Sequence, residues 1–178
     1  RTTRKSPRTI RPKPKRPSRT TTIMPPMAAH EYVRRDSIEK FAETIGNARV
    51  VTVSSPAGFG KTTAMLRWAD IMRQTGRPVL WIAARAGIDS LATFLDALGA
   101  AGTAAGLHLN DARRTLGPRG WLANLAEQKG ARPALFIDDA QLLTPEIQDF
   151  IDQIIASARD SLTTVIASRG ECGINVAR

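Results

Sequence analysis

VVTVSSPAGFGKTT, residues 50 to 63, is a short β-branched run that passes through a Pro- and Gly-containing turn into a lysine. Val50, Val51 and Val53, with Thr52 between them, predict a buried strand. Beyond the turn, Met65, Leu66, Trp68, Ala69 and Met72 recur at helical spacing, and Gly76 followed by Pro78 ends the helix. Strand, glycine turn, lysine and helix in that order are the layout of a phosphate-binding loop. In such a loop the backbone N–H groups face inward as an anion nest, and the helix that follows adds its N-terminal partial positive charge. Gly58 and Gly60 supply the tight turn, Lys61 the charge for the β- and γ-phosphates, and Thr62 a hydroxyl for Mg²⁺. Ser55, Pro56, Ala57, Phe59 and Thr63 complete the candidate nucleotide-binding residues. The pattern GxxxxGK[ST] wants glycine at its first position, where this chain has Ser55. A glycine-containing turn that binds nothing is the competing reading, but Gly-x-Gly-Lys-Thr after a strand has little structural reason to exist.

A second motif lies further along. Ala134-Leu135-Phe136-Ile137 is an apolar strand that stops abruptly at Asp138 and Asp139. A strand of an α/β sheet delivers such groups at its C-terminal edge, where ligands sit. Asp138 would hold Mg²⁺, directly or through water, and Asp139 would orient the attacking water. An acidic turn without chemistry is the alternative, weakened by the phosphate loop upstream.

Charge has to be located before it is interpreted. The chain of 178 residues has a formal net charge of +10, and residues 1–22 carry nine basic and no acidic residues. Residues 23–178 hold 17 basic and 16 acidic, so the charge-driven partner, if any, belongs to the tail. Prolines at 7, 12, 14, 17, 25 and 26 and the scarcity of apolar side chains predict that residues 1–26 form a basic, disordered tail. It serves either as a solvated linker or as a loose grip on nucleic acid through counterion release. Residues 27–178 are expected to form one domain, and a start without Met and a stop soon after a predicted strand are expected of a piece of a longer protein. Cys172 is the single cysteine, which excludes an internal disulfide and fits a cytoplasmic setting. No apolar run approaches the roughly 18 residues that cross a bilayer, so no membrane partner is expected.

The remaining elements alternate. Asp36, with Glu39 three residues on, predicts a capped helix to about Ile45, with Val33, Arg34 and Arg35 just ahead of it. Residues 78–83 read as a second buried strand, followed by a helix capped at Asp89-Ser90. The glycine- and alanine-rich stretch 99–110 leaves its helix content open, and His108 within it has no partner spacing for a ligand. A helix is predicted from about Trp121 to Gln128, and another with Thr144 as N-cap and Pro145 in its first turn. Residues 162–167 form a fourth strand ending in Ser168 and Arg169, well placed to sense a γ-phosphate, with surface charge as the competing account of the arginine. Such alternation predicts an α/β fold, a three-layer α/β/α sandwich of the phosphate-loop NTPase type with a parallel sheet.

SSPAGFGKTT with a Trp-containing helix, PVLWIA, Asp89-Ser90 with Phe94, LFIDDAQLL and TTVIASR, in this order, resemble the nucleotide-binding domain of the signal-transduction ATPases with numerous domains. Within that class the chain looks most like the MalT-like regulators, large LuxR-type transcription factors, over about residues 24–170. The resemblance implies adenine as the base, with Val33 and Arg35 near it, and accepts Ser55 at the first loop position. It also implies that the Ser168 strand lies between the phosphate-loop strand and the Asp138 strand. The family often has an aromatic and a histidine after the paired acids, where this chain has Ala140 and Gln141; related DNA-transposition and secretion ATPases more often show Ala-Gln. The implied function is a switch that binds ATP or ADP with Mg²⁺, self-associates in the ATP state and is reset by slow hydrolysis. The catalytic candidates are Asp138, Asp139 and Arg169, with Thr62 and Asp138 on the metal. DNA would be reached through a C-terminal helix-turn-helix that these residues lack, or weakly through the basic tail. An AAA+-like ATPase acting on DNA is the alternative.

Overall fold

A computed structural model describes residues 36–85, 87–109, 117–128, 130–170 and 172–174. The basic tail, Val33, Arg34 and Arg35 lie outside the described residues, as do the side chains of Asp36 to Glu39. The elements follow in the order α1 (Asp36–Asn47), β1 (Val50–Ser54), α2 (Lys61–Gln74), β2 (Val79–Ala83), α3 (Leu91–Ala104) and α4 (Gly117–Ala126). Then come β3 (Ala134–Asp138), a 3₁₀ turn (Ala140–Leu142), α5 (Pro145–Ala158) and β4 (Thr163–Ser168).

The four strands make one parallel sheet in the order β1-β4-β3-β2. Each parallel connection has to cross over the sheet, and helices provide the crossings. Successive side chains of a strand face opposite ways, so each apolar strand feeds two cores. Val79, Trp81, Phe136, Val165 and Ala167 pack with Ile45 of α1 and with Met65, Trp68 and Met72 of α2. Leu80, Ile82, Leu135, Ile137 and Ile166 pack on the other side with Phe94, Trp121, Ile147 and Ile151 of α3, α4 and α5. The architecture is therefore a three-layer α/β/α sandwich. Trp81 and Phe136 stack across neighbouring strands with centroids 5.6 Å apart. Each large side chain buried in these layers contributes about 1.5 to 3 kcal/mol.

The structure corrects some expectations and completes others that the sequence left open. β1 is not a buried strand: among the described residues only β4 lies beside it, and Thr52 and Ser54 are exposed while its valines are half-buried. α3 continues through Gly99 to Ala104, because Ala97, Leu98, Ala101 and Gly102 give it a buried stripe that offsets the weak glycine propensity. Its N-cap is Ser90, in a reciprocal capping box with Thr93. α4 begins earlier than Trp121, at Gly117, since Pro118 is tolerated in a first turn. Thr144 does stand at the N-cap of α5, but its hydroxyl makes no cap bond and is buried without a partner.

The N-terminal edge of the sheet is tied by two arginines. Arg77 donates to the carbonyls of Arg132 at 2.7 Å and Gly46 at 2.8 Å and to the Thr163 hydroxyl at 2.9 Å. Arg132 donates to the carbonyls of Leu162 at 2.7 Å and Ala48 at 3.2 Å. Together they bind the chain at the C-terminal end of α1 to the starts of the strands. Burial lowers the Arg77 pKa from its ordinary value, and the neighbouring Arg132 charge adds to that. The carbonyl bonds compensate for this cost.

Candidate functional site

At the opposite edge, β1 ends at Ser54 and the chain turns through 55–60 into α2. Gly58 and Gly60 have φ of 85° and 79°, the left-handed region that L side chains rarely adopt. A Cβ at either position would meet nothing within 4 Å, so conformation and not crowding requires glycine. Gly60 is the N-cap of α2 and supplies no side-chain acceptor, and no acidic residue lies in the first turn. The first N–H groups of the helix thus keep their partial positive charge. Pro56, Ala57, Phe59 and Thr63 are exposed around this turn, Phe59 by 70%.

Lys61 is 8% exposed, and its Nζ donates to the carbonyls of Ser55 and, at 2.8 Å, Pro56. Among the described residues no carboxylate pairs with it. A buried ammonium held only by carbonyl oxygens leaves the loop with net positive charge, which suits an anion.

Thr62 donates from Oγ1 to Asp138 Oδ2 at 2.7 Å, linking the start of α2 to the end of β3. The second oxygen of Asp138 accepts the Asp139 N–H at 2.9 Å, and the side chain is 2% exposed. The structure thereby brings the two motifs into contact. A hydroxyl and a carboxylate this close are the hard oxygen donors that Mg²⁺ takes from a protein when phosphates and waters supply the rest, so these residues fit the ion. Among the described residues no group of three or more His, Cys, Asp or Glu could hold a metal, and His108 is exposed.

Asp139 has φ 56° and ψ 39°, an unusual backbone for a side-chain-bearing residue and one that Asp tolerates better than most. Its Oδ1 accepts from Gln141 Nε2 at 3.1 Å and from Arg169 Nε at 3.2 Å. Gln141 Oε1 in turn accepts the Arg169 backbone N–H at 3.0 Å. Ser168 is buried and its hydroxyl donates to the Gly170 carbonyl, so of the Ser168–Arg169 pair only the arginine keeps uncommitted donors. The Ser168 carbonyl accepts the Ser55 N–H at 3.4 Å, which ties the end of β4 to the start of the loop. Gln141 was not among the sequence candidates. Nothing in the local pattern announces it, because its partner Arg169 is adjacent only through the β3–β4 pairing.

No protein-family model and no curated protein matches the chain. Among solved structures, one of Drosophila ORC bound to poly(dA/dT) DNA and Cdc6 is similar, with TM-score 0.47 and 13% identity over 77% of this chain. The match covers 24% of that chain, so the present sequence corresponds to about a quarter of its length. A likeness at this level says nothing of the chemistry of the site.

Proposed function

We propose that this domain is an ATP-binding switch: it holds ATP or ADP with Mg²⁺ at the C-terminal edge of the sheet and hydrolyses ATP slowly. The observation that carries the reading is the buried, carboxylate-free Lys61 inside a turn with two left-handed glycines, beside the Thr62–Asp138 pair. Lys61 would leave its carbonyl partners for the phosphate oxygens, and the N–H groups of 58–62 would surround them. Mg²⁺, held by Thr62 and Asp138, would neutralise charge on the β- and γ-phosphates. Asp139 Oδ2, which accepts no hydrogen bond among the described residues, would orient the attacking water. Arg169 would distinguish ATP from ADP by contacting the γ-phosphate. Ser55 to Thr63 would form the phosphate cradle, with Val33 and Arg35 at the base.

The sequence resemblance supports a place in a MalT-like, LuxR-type transcriptional regulator of the cytoplasm. There the ATP state would self-associate, and a helix-turn-helix elsewhere in the protein would reach DNA. Among the described residues no helix is long and apolar enough to cross a membrane. A second reading, an AAA+-like ATPase acting on DNA, is favoured by the nine basic residues of 1–22.

Binding of ATP and ADP in Mg²⁺ and release of phosphate, measured with and without duplex DNA, test both. Slow release indifferent to DNA supports the switch. DNA-stimulated release supports the second reading, and absence of nucleotide binding overturns both.

A further inference from the structure

The Asp139–Gln141–Arg169 network has a property that its sequence gives no hint of. Arg169 is held at both ends, its backbone N–H by Gln141 Oε1 at 3.0 Å and its side-chain Nε by Asp139 Oδ1 at 3.2 Å. Gln141 closes the ring by donating from Nε2 to that same Asp139 oxygen at 3.1 Å. The ion pair uses Nε, and among the described residues no hydrogen bond uses the two terminal Nη groups. Those Nη groups carry four of the five N–H donors of a guanidinium and form the fork that matches a phosphate. Because Asp139 is also bonded by Gln141, it is itself fixed, in a backbone conformation that the 3₁₀ turn following it maintains.

We infer that Gln141 is a positioning residue that, through Asp139, presents the free guanidinium fork of Arg169 to the terminal phosphate and so sets the preference for a nucleoside triphosphate over a diphosphate. The inference rests on the nucleotide-binding reading above and deepens it. An arginine side chain that is 55% exposed has many rotamers to lose on binding. The Nε bond to Asp139, made beforehand and steadied by Gln141, removes part of that cost, and the gain is confined to the ligand that reaches the fork. The chain just before Arg169 lies beside the loop, since the Ser168 carbonyl accepts the Ser55 N–H at 3.4 Å. A diphosphate is held by the loop and Lys61 and has no group for the arginine, so it is indifferent to the clamp.

The test titrates fluorescent ATP and ADP analogues in Mg²⁺ into the full chain and its Gln141→Ala, Gln141→Met, Arg169→Ala and Gln141→Met/Arg169→Ala variants. Methionine fills the space of glutamine without its polar groups, so it separates hydrogen bonding from packing. Gln141→Ala and Gln141→Met should each weaken ATP by about threefold to tenfold, the loss of one or two modest hydrogen bonds, and leave ADP within about twofold. The double variant should be no weaker than Arg169→Ala, because the glutamine acts only through the arginine. Gln141→Met binding ATP like the unsubstituted chain would overturn the clamp, as would equal losses for ATP and ADP or additive losses in the double variant. An unsubstituted chain that binds neither nucleotide would overturn the phosphate-site reading and the clamp together.

Discussion

The two edges of the sheet handle positive charge in opposite ways. At the N-terminal edge Arg77 and Arg132 are committed to carbonyls and a threonine hydroxyl, each bond joining elements far apart in sequence. At the C-terminal edge, among the described residues, Lys61 is held only by carbonyls of its own loop, and Arg169 has its terminal nitrogens uncommitted. The first edge is a set of staples, while the second keeps donors available for exchange with a ligand. Cation-to-carbonyl bonds occur at both edges, so the bonds alone do not mark a site. What differs is whether breaking them would separate parts of the fold.

Substitutions should therefore divide cleanly between the edges. The largest effect is expected of Lys61→Ala, which should weaken ATP and ADP by about two orders of magnitude through loss of charge-assisted bonds to phosphate, with little change in urea unfolding. Next, Arg77→Ala should cost about 2 to 3 kcal/mol of stability, since it leaves carbonyls at the N-terminal edge without a donor, while the folded fraction binds nucleotide as before. Comparable losses of affinity and stability in either variant would erase the distinction. Thr62→Val sharpens the site itself: ATP affinity should fall by about tenfold in Mg²⁺ and hardly at all in EDTA. A loss that is the same with and without the metal would remove Thr62 from the ion. The smallest effect is expected of Gly60→Ala, which meets no neighbour and pays only for its left-handed backbone, about 1 kcal/mol in a denaturant melt.

Much of this was legible because the decisive segments are continuous in sequence. The Val50–Thr63 run contains the strand, the glycines and the lysine of the loop, and β3 carries its two carboxylates at its end. Where the structure departs from the sequence reading, the missing information was neighbourhood. β1 has the β-branched composition of an interior strand, and only the order β1-β4-β3-β2 reveals it as half-exposed at an edge. Gln141 reads as a polar turn residue until β4 is laid beside β3. The arginine staples do have a trace in the sequence: Arg77-Pro78 and Arg132-Pro133 repeat the same dipeptide immediately before β2 and β3. A proline at a strand entry fixes the backbone there, and the preceding arginine is brought to the same edge each time. Thr144 failed differently, since a threonine at an N-cap position does not guarantee the cap bond.

Amide hydrogen exchange of the full chain with and without Mg·ATP tests the division of the two edges most directly. The account predicts added protection at 55–62, 138–141 and 168–170, and none at 46–49, 77, 132 or 162–163. Protection that appears at the arginine edge, or that is spread evenly over both edges, would contradict it.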